Sequence, residues 1–168
     1  MTNCIEIRTK RFTLKRLENH DKKQLIKVLN DYRVSDTLAN VPYPYKGDDA
    51  EYWLNNVRNN KYALNIFFNN LLIGGIGIHK EDDGYNLGYW VGFEYWGKGY
   101  ATESCYGLLN YLKKNTSHQS IKAKAFIDNN ASNKVLEKIG FKYIEEAQVF
   151  SKSRQENVHC LDYEYILY

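Results

Sequence analysis

Trp96-Gly97-Lys98-Gly99-Tyr100-Ala101 decides how this chain is read, because it joins an alternating apolar stretch that ends at Gly92 to an amphipathic one. Residues 85–92 alternate as a strand does, whereas Ala101, Cys105, Leu108, Leu109 and Leu112 recur on one helical face. Lys113 and Lys114 close that helix, where positive charge complements the macrodipole. A turn from strand to helix N-terminus suits an anion, since free N–H groups point outward there and glycine has no Cβ to hold phosphate oxygens away. Gly97 and Gly99 supply the glycines, and Lys98 adds a positive charge. Glu103, in the first helical turn, suits the dipole but repels phosphate, so its side chain is expected to point away from the loop. On spacing alone, a tight turn without any ligand explains the glycines equally well. Neither the Gly-Lys-Ser/Thr ending of a P-loop nor the third glycine of a dinucleotide fingerprint is present.

Outward from this loop the periodicities are clear. Residues 62–68, 71–79 and 85–92 read as an antiparallel meander joined by Asn69-Asn70 and Asp82-Asp83-Gly84. Downstream, residues 120–128 alternate as a strand, residues 132–139 form a short helix stopped by Gly140, and residues 141–152 and 157–167 are closing strands. Upstream, Phe12 and Leu14 mark a short strand, and residues 17–29 carry a helical pattern. Pro42 and Pro44 break the chain before a second helix that Asp48 and Asp49 introduce. The expectation is one α+β domain over residues 1–168, a mostly antiparallel mixed sheet of about six to seven strands with about four helices and one strand–helix–strand crossover.

Composition narrows the function classes. At 168 residues the chain suits one sizeable core. The 23 basic and 20 acidic residues leave +3, too small and too evenly spread for a nucleic-acid binder. Cys4, Cys105 and Cys160 form no CxxC pair, and His20, His79, His118 and His159 are scattered, so no metal is expected. Free thiols, no apolar leader in residues 1–10 and no long apolar run lead us to expect a cytoplasmic protein with no membrane partner, a monomer or homodimer. Cys105 shares the apolar helix face and reads as a small buried hydrophobe.

Gly88-Tyr89-Trp90-Val91-Gly92, followed by Tyr95-Trp96-Gly97-Lys98-Gly99-Tyr100-Ala101-Thr102-Glu103, resembles the acetyl-CoA-binding core of the GNAT superfamily of N-acetyltransferases. Asn129-Asn130-Ala131-Ser132, with the short helix and Gly140-Phe141 after it, resembles the next motif of the branch containing the ribosomal-protein N-terminal (RimJ/RimL-type) acetyltransferases. The order and separation of the two blocks match, and residues 11–17 and the Pro42-Tyr43-Pro44 loop extend the likeness over nearly the whole chain. Trp96 stands where the superfamily often has Gln or Arg, but an aromatic is usual in this branch.

The resemblance implies a GNAT-like domain whose central strands, residues 85–92 and 120–127, splay apart to admit acetyl-CoA. The implied coenzyme A contacts are Trp90, Val91, Gly92, Trp96, Gly97, Lys98, Gly99, Tyr100, Ala101, Thr102, Asn129 and Ser132, with the Val91 amide polarising the thioester. Gly88 and Gly92 fit a close ligand approach or relief of strand twist. Attack by a neutral amine needs a proton for the departing thiolate and a route for the ammonium proton. Ser132 has two readings, proton donor or helix N-cap. Asn129 is a coenzyme contact or a turn residue, and Lys134 and Lys138 meet the nucleotide end or solvent. Leu136 stands where many relatives place a tyrosine acid, and Asn86 where they place a glutamate base. Glu94, Glu145 and Glu146 are base candidates by chemistry alone. The acceptor, a protein N-terminus or a small amine, is expected near residues 32–45 and the closing strands. There Tyr43, Pro44 and Tyr45 form either an aromatic wall or buried packing. The competing class is a coenzyme A sensor or scaffold that has lost chemistry, motivated by Asn86 and Leu136.

Overall fold

The computed structural model describes residues 4–168. The strands are β1 (Ile7–Arg8), β2 (Thr13–Lys15), β3 (Ala63–Phe68), β4 (Leu71–Glu81), β5 (Gly84–Val91), β6 (Ser120–Phe126), β7 (Lys142–Ser151) and β8 (Glu156–Ile166). They form one sheet in the order β1-β2-β3-β4-β5-β6-β8-β7. The helices are α1 (Lys22–Leu29), α2 (Tyr32–Ser35), α3 (Gly47–Val57), α4 (Tyr100–Asn115) and α5 (Asn130–Ile139). Every neighbouring pair is antiparallel except β5 and β6, which run parallel because α4 crosses between them.

Alternation along the strands gives the sheet two faces. On one, Leu87 and Val91 of β5 and Ile121 and Ala123 of β6 share the main buried cluster with Cys105, Leu108, Leu109 and Leu112 of α4 and Leu136 and Ile139 of α5. On the other, Leu25 and Leu29 of α1, Ala50 of α3, Phe67 of β3 and Leu72 of β4 form a second cluster that takes in Tyr45 and the flank of Trp90. A third, smaller group, Phe126, Val158 and Cys160, lies under Ala39.

Among the described residues the sheet has eight strands and there are five α-helices, against an expectation of about six to seven and about four. The additions are short. β1 is two residues paired to β2, and α2 is four residues capped by Asp31, whose carboxylate accepts from the Arg33 N–H. Neither is long enough to show a period. One boundary also moves: α5 starts at Asn130, not Ser132, because the Asn129 side chain takes the Ser132 N–H at 3.1 Å and is itself the N-cap.

Leu108 is fully buried where α4 meets the sheet. Replacing it by alanine leaves a cavity that rigid neighbours cannot close, and we expect a loss of about 2–5 kcal/mol in urea unfolding.

Candidate active site

β5 and β6 are paired at only two registers, Asn86↔Lys122 and Leu87↔Ala123. Past that point β5 stays with β4, to Gly74↔Val91, and β6 stays with β8, to Phe126↔Cys160, so the two strands part. The Gly92 N–H donates to the Ile73 carbonyl on the β4 side. Consecutive N–H groups on a strand face opposite edges, so the Val91 N–H is turned into the opening. The Val91 carbonyl faces the same way and accepts from the Trp96 indole Nε1 at 2.7 Å, which pins the glycine loop to the mouth of the gap.

Gly97 and Gly99 both occupy the left-handed region, at φ 71° and 74°. Gly99 is the N-cap of α4 and offers no side chain, so the N–H groups of Tyr100, Ala101 and Thr102 have neither an earlier helical carbonyl nor a capping oxygen. The first helical bond is from Glu103 N to Gly99 O. The loop is braced from outside. The Arg11 guanidinium donates to the Lys98 carbonyl and to Glu103, and stacks over the Tyr100 ring. Glu103 is turned to β1 and β2, accepting also from Thr9 Oγ1 and Arg11 N at 2.7 Å each. Burial pushes its carboxyl up, but the Thr9 and Arg11 hydrogen bonds outweigh this and hold it below its ordinary value. The Lys98 ammonium lies on the Glu94 carbonyl.

The other sequence-derived residues divide between the faces. Val91 is buried with residues of α4 and α5, and Asn129 and Ser132 stand at the start of α5; Trp96 is 40 % exposed. Trp90 points to the opposite face, its indole seated on Gly75 so closely that a Cβ there would collide with it, leaving only its backbone along the gap. Among the described residues nothing lies within 4 Å of where a Cβ on Gly88 would stand. Leu136 is 0 % exposed in the core. Cys105 is equally buried, and burial raises its thiol. Tyr89, which the sequence reading passed over, reaches from β5 to Ser132, Oη to Oγ 2.7 Å. Alternation already placed it on the face of Leu87 and Val91.

On the far face, Tyr45 is 4 % exposed and belongs to the core, whereas Tyr43 is 46 % exposed and meets the equally exposed Tyr32 edge-on. Arg33 lies over Phe93, which packs beside Trp96, so an aromatic wall runs from α2 to the loop. The hairpin turn after β7 closes the other side: Arg154 pairs with Asp36 and with Asp128, and Ser153 Oγ donates to the Ser35 carbonyl. Glu94, Glu145 and Glu146 are exposed. Asp162 of β8 sits opposite Lys124, one residue beyond the last β5–β6 pair; burial pushes its carboxyl up against the pull of Lys124. Asn86 is 3 % exposed, with no partner for either side-chain atom among the described residues. Among those residues no cluster of three or more His, Cys, Asp or Glu side chains offers a metal site.

A parted parallel strand pair lies beside an uncapped, glycine-led helix whose N–H groups are suited to an anion. Residues 11–142 match the family described as acetyltransferase (GNAT) domain, and the chain belongs to that family. It is 30 % identical over 159 residues to an uncharacterized N-acetyltransferase of Schizosaccharomyces pombe, covering 82 % of this chain and 84 % of the relative. Its fold is similar to that of RimL, the ribosomal L7/L12 alpha-N-protein acetyltransferase in complex with coenzyme A, at TM-score 0.82 and 17 % identity, with 96 % and 98 % of the two chains covered. It is also similar to the microcin C7 self-immunity acetyltransferase MccE in complex with acetyl-CoA and AMP, at TM-score 0.79 and 18 % identity over 94 % and 93 %.

Because the Glu103 carboxyl is held below its ordinary 4.5, its contribution is complete above that value and is lost as pH falls through the folded one. Glu103→Gln is therefore expected to lower the melting temperature at pH 7, with the gap to wild type narrowing as pH falls below 4.5 in parallel thermal melts.

Proposed function

We propose that the chain moves an acetyl group from acetyl-CoA directly to a primary amine, as a member of the RimJ/RimL-type branch. The observation that carries this reading is the gap between β5 and β6 with the Gly97/Gly99 turn at its mouth. The diphosphate is held by the N–H groups of residues 99–102, and the pantetheine arm extends along the inner edge of β5 past Val91 and Gly88. The amine nitrogen attacks the thioester carbon while the Val91 N–H polarises the carbonyl oxygen. The C–S bond then breaks, the thiolate takes a proton from Ser132, and the ammonium proton leaves through water. No covalent acyl-enzyme forms.

The acceptor approaches from the face bearing Tyr32, Tyr43 and the Arg154 turn, opposite α4 and α5. RimL acts on a protein α-amine, and the likeness of the Asn129 to Ser132 block to that branch favours the same acceptor class here, with small amines as the second. The free thiols Cys4, Cys105 and Cys160 favour a reducing, cytoplasmic setting.

Free-thiol release from acetyl-CoA, measured across N-terminal peptides and small amines, tests this directly. Release with at least one acceptor is expected, whereas tight coenzyme A binding with no release from any would identify a sensor instead. Gly99→Val sets a branched side chain into the cradle at a left-handed φ. By calorimetry the coenzyme A Kd is expected to rise by about tenfold or more, about 1.4 kcal/mol. An unchanged Kd removes the loop from the site.

A further inference from the structure

We infer that Tyr89 is a positioning residue for the acid step, donating its phenol hydrogen to Ser132 Oγ so that the serine hydrogen is turned toward the departing sulfur. This rests on the acetyl-transfer reading above. Tyr89 stands on β5 two residues past its last pair with β6, and Ser132 is in the first turn of the helix that follows β6. Their contact therefore ties together the two sides of the gap beyond the point where backbone pairing stops. Ser132 is held twice, its N–H by Asn129 Oδ1 at 3.1 Å and its side chain by Tyr89 Oη at 2.7 Å, with the Ser132 carbonyl 3.3 Å from the same phenol. The phenol has one hydrogen and two acceptors on Ser132; we assign it to Oγ, because that contact is the shorter, 2.7 Å against 3.3 Å to the carbonyl, and a phenol is a far stronger acid than an alcohol.

A serine that accepts from Tyr89 keeps its own O–H free, pointing away from the phenol and into the gap. Burial pushes the Tyr89 phenol far above its ordinary value, and the Ser132 bond offsets this only in part. Tyr89 thus stays protonated and donates throughout the working pH range, and it is not itself the proton source. As the C–S bond breaks, the electron pair goes to sulfur and the Ser132 proton passes to the thiolate while a solvent proton returns to Ser132 Oγ in the same step, so that no free alkoxide stands beside the phenol. The proton shed by the attacking ammonium restores the serine through solvent.

The test compares Tyr89→Phe, Ser132→Ala and the double variant with wild type, using the best acceptor from the panel. Ser132→Ala is expected to lower kcat on the order of 100-fold and Tyr89→Phe about tenfold, both with the KM for acetyl-CoA nearly unchanged. The double variant is expected to fall no further than Ser132→Ala alone, because the phenol acts only through the serine. Losses that multiply in the double variant, or a Tyr89→Phe effect confined to KM or melting temperature, overturn the inference. So does full turnover in Tyr89→Phe beside an impaired Ser132→Ala. Full turnover in Ser132→Ala refutes the acid assignment as well, while absence of turnover in wild type refutes the acetyl-transfer reading itself.

Discussion

The rest of the structure depends on the short parallel contact between β5 and β6. A parallel strand pair needs a crossover, and α4 supplies it, but the pairing it allows lasts for two registers. Each strand is then claimed by its other neighbour, β5 by β4 and β6 by β8, whose antiparallel ladders are longer. The inner edges past Leu87 and Ala123 are left with N–H and C=O groups that no strand satisfies, a costly state for a half-buried backbone. The Trp96 indole takes the Val91 carbonyl, and the Val91 N–H remains directed into the gap. On the proposed reading an amide-rich ligand arm laid along this edge would complete the sheet, so the same feature that weakens the fold would serve as the substrate channel.

The glycine loop follows from that geometry. It leaves β5 at the mouth of the gap and must enter α4 at once, which the left-handed Gly97 and Gly99 allow. Its uncapped N–H groups would bind any anion, and Glu103 in the first turn would oppose one. That conflict is resolved by distance and pairing: Thr9 and Arg11 draw the carboxylate toward β1 and β2, where it anchors the loop instead of repelling a phosphate. Arg11 at the same time adds a guanidinium beside the Lys98 carbonyl and the Tyr100 ring. A charge that looks unfavourable in the sequence serves as a brace in the fold.

What the sequence made legible was what repeats locally. Alternation found the long strands, the 3.6-residue period found α4 and α5, and the glycine pair marked the turn between them. β1 and α2 escaped because two and four residues carry no period. Ser132 was open between capping and catalysis because both roles favour serine at a helix start. Asn129 fills the cap, and the Ser132 hydroxyl meets Tyr89 instead. Trp90 lies in the motif, yet its indole turns to the far face, since neighbours in a strand point oppositely and Val91 already faces the gap. Tyr89 was visible as a core-facing tyrosine, but its partner lies 43 residues away, and no spacing rule connects them.

The proposed acceptor side was the least legible part for the same reason. It is assembled from segments far apart in the chain: Tyr32 meets Tyr43, Arg33 meets Phe93, and Arg154 joins Asp36 to Asp128. Tyr45, two residues from the exposed Tyr43, is core instead, because its neighbours Leu25, Ala50 and Phe67 close over it. The donor side, by contrast, is nearly all strand, turn and helix from one continuous stretch, with geometry imposed by backbone amides. Amides bind a diphosphate whatever side chains surround them, whereas an amine is selected by side chains on a wall that tolerates exchange. A fold built in this way can keep its backbone site while the side-chain wall is exchanged.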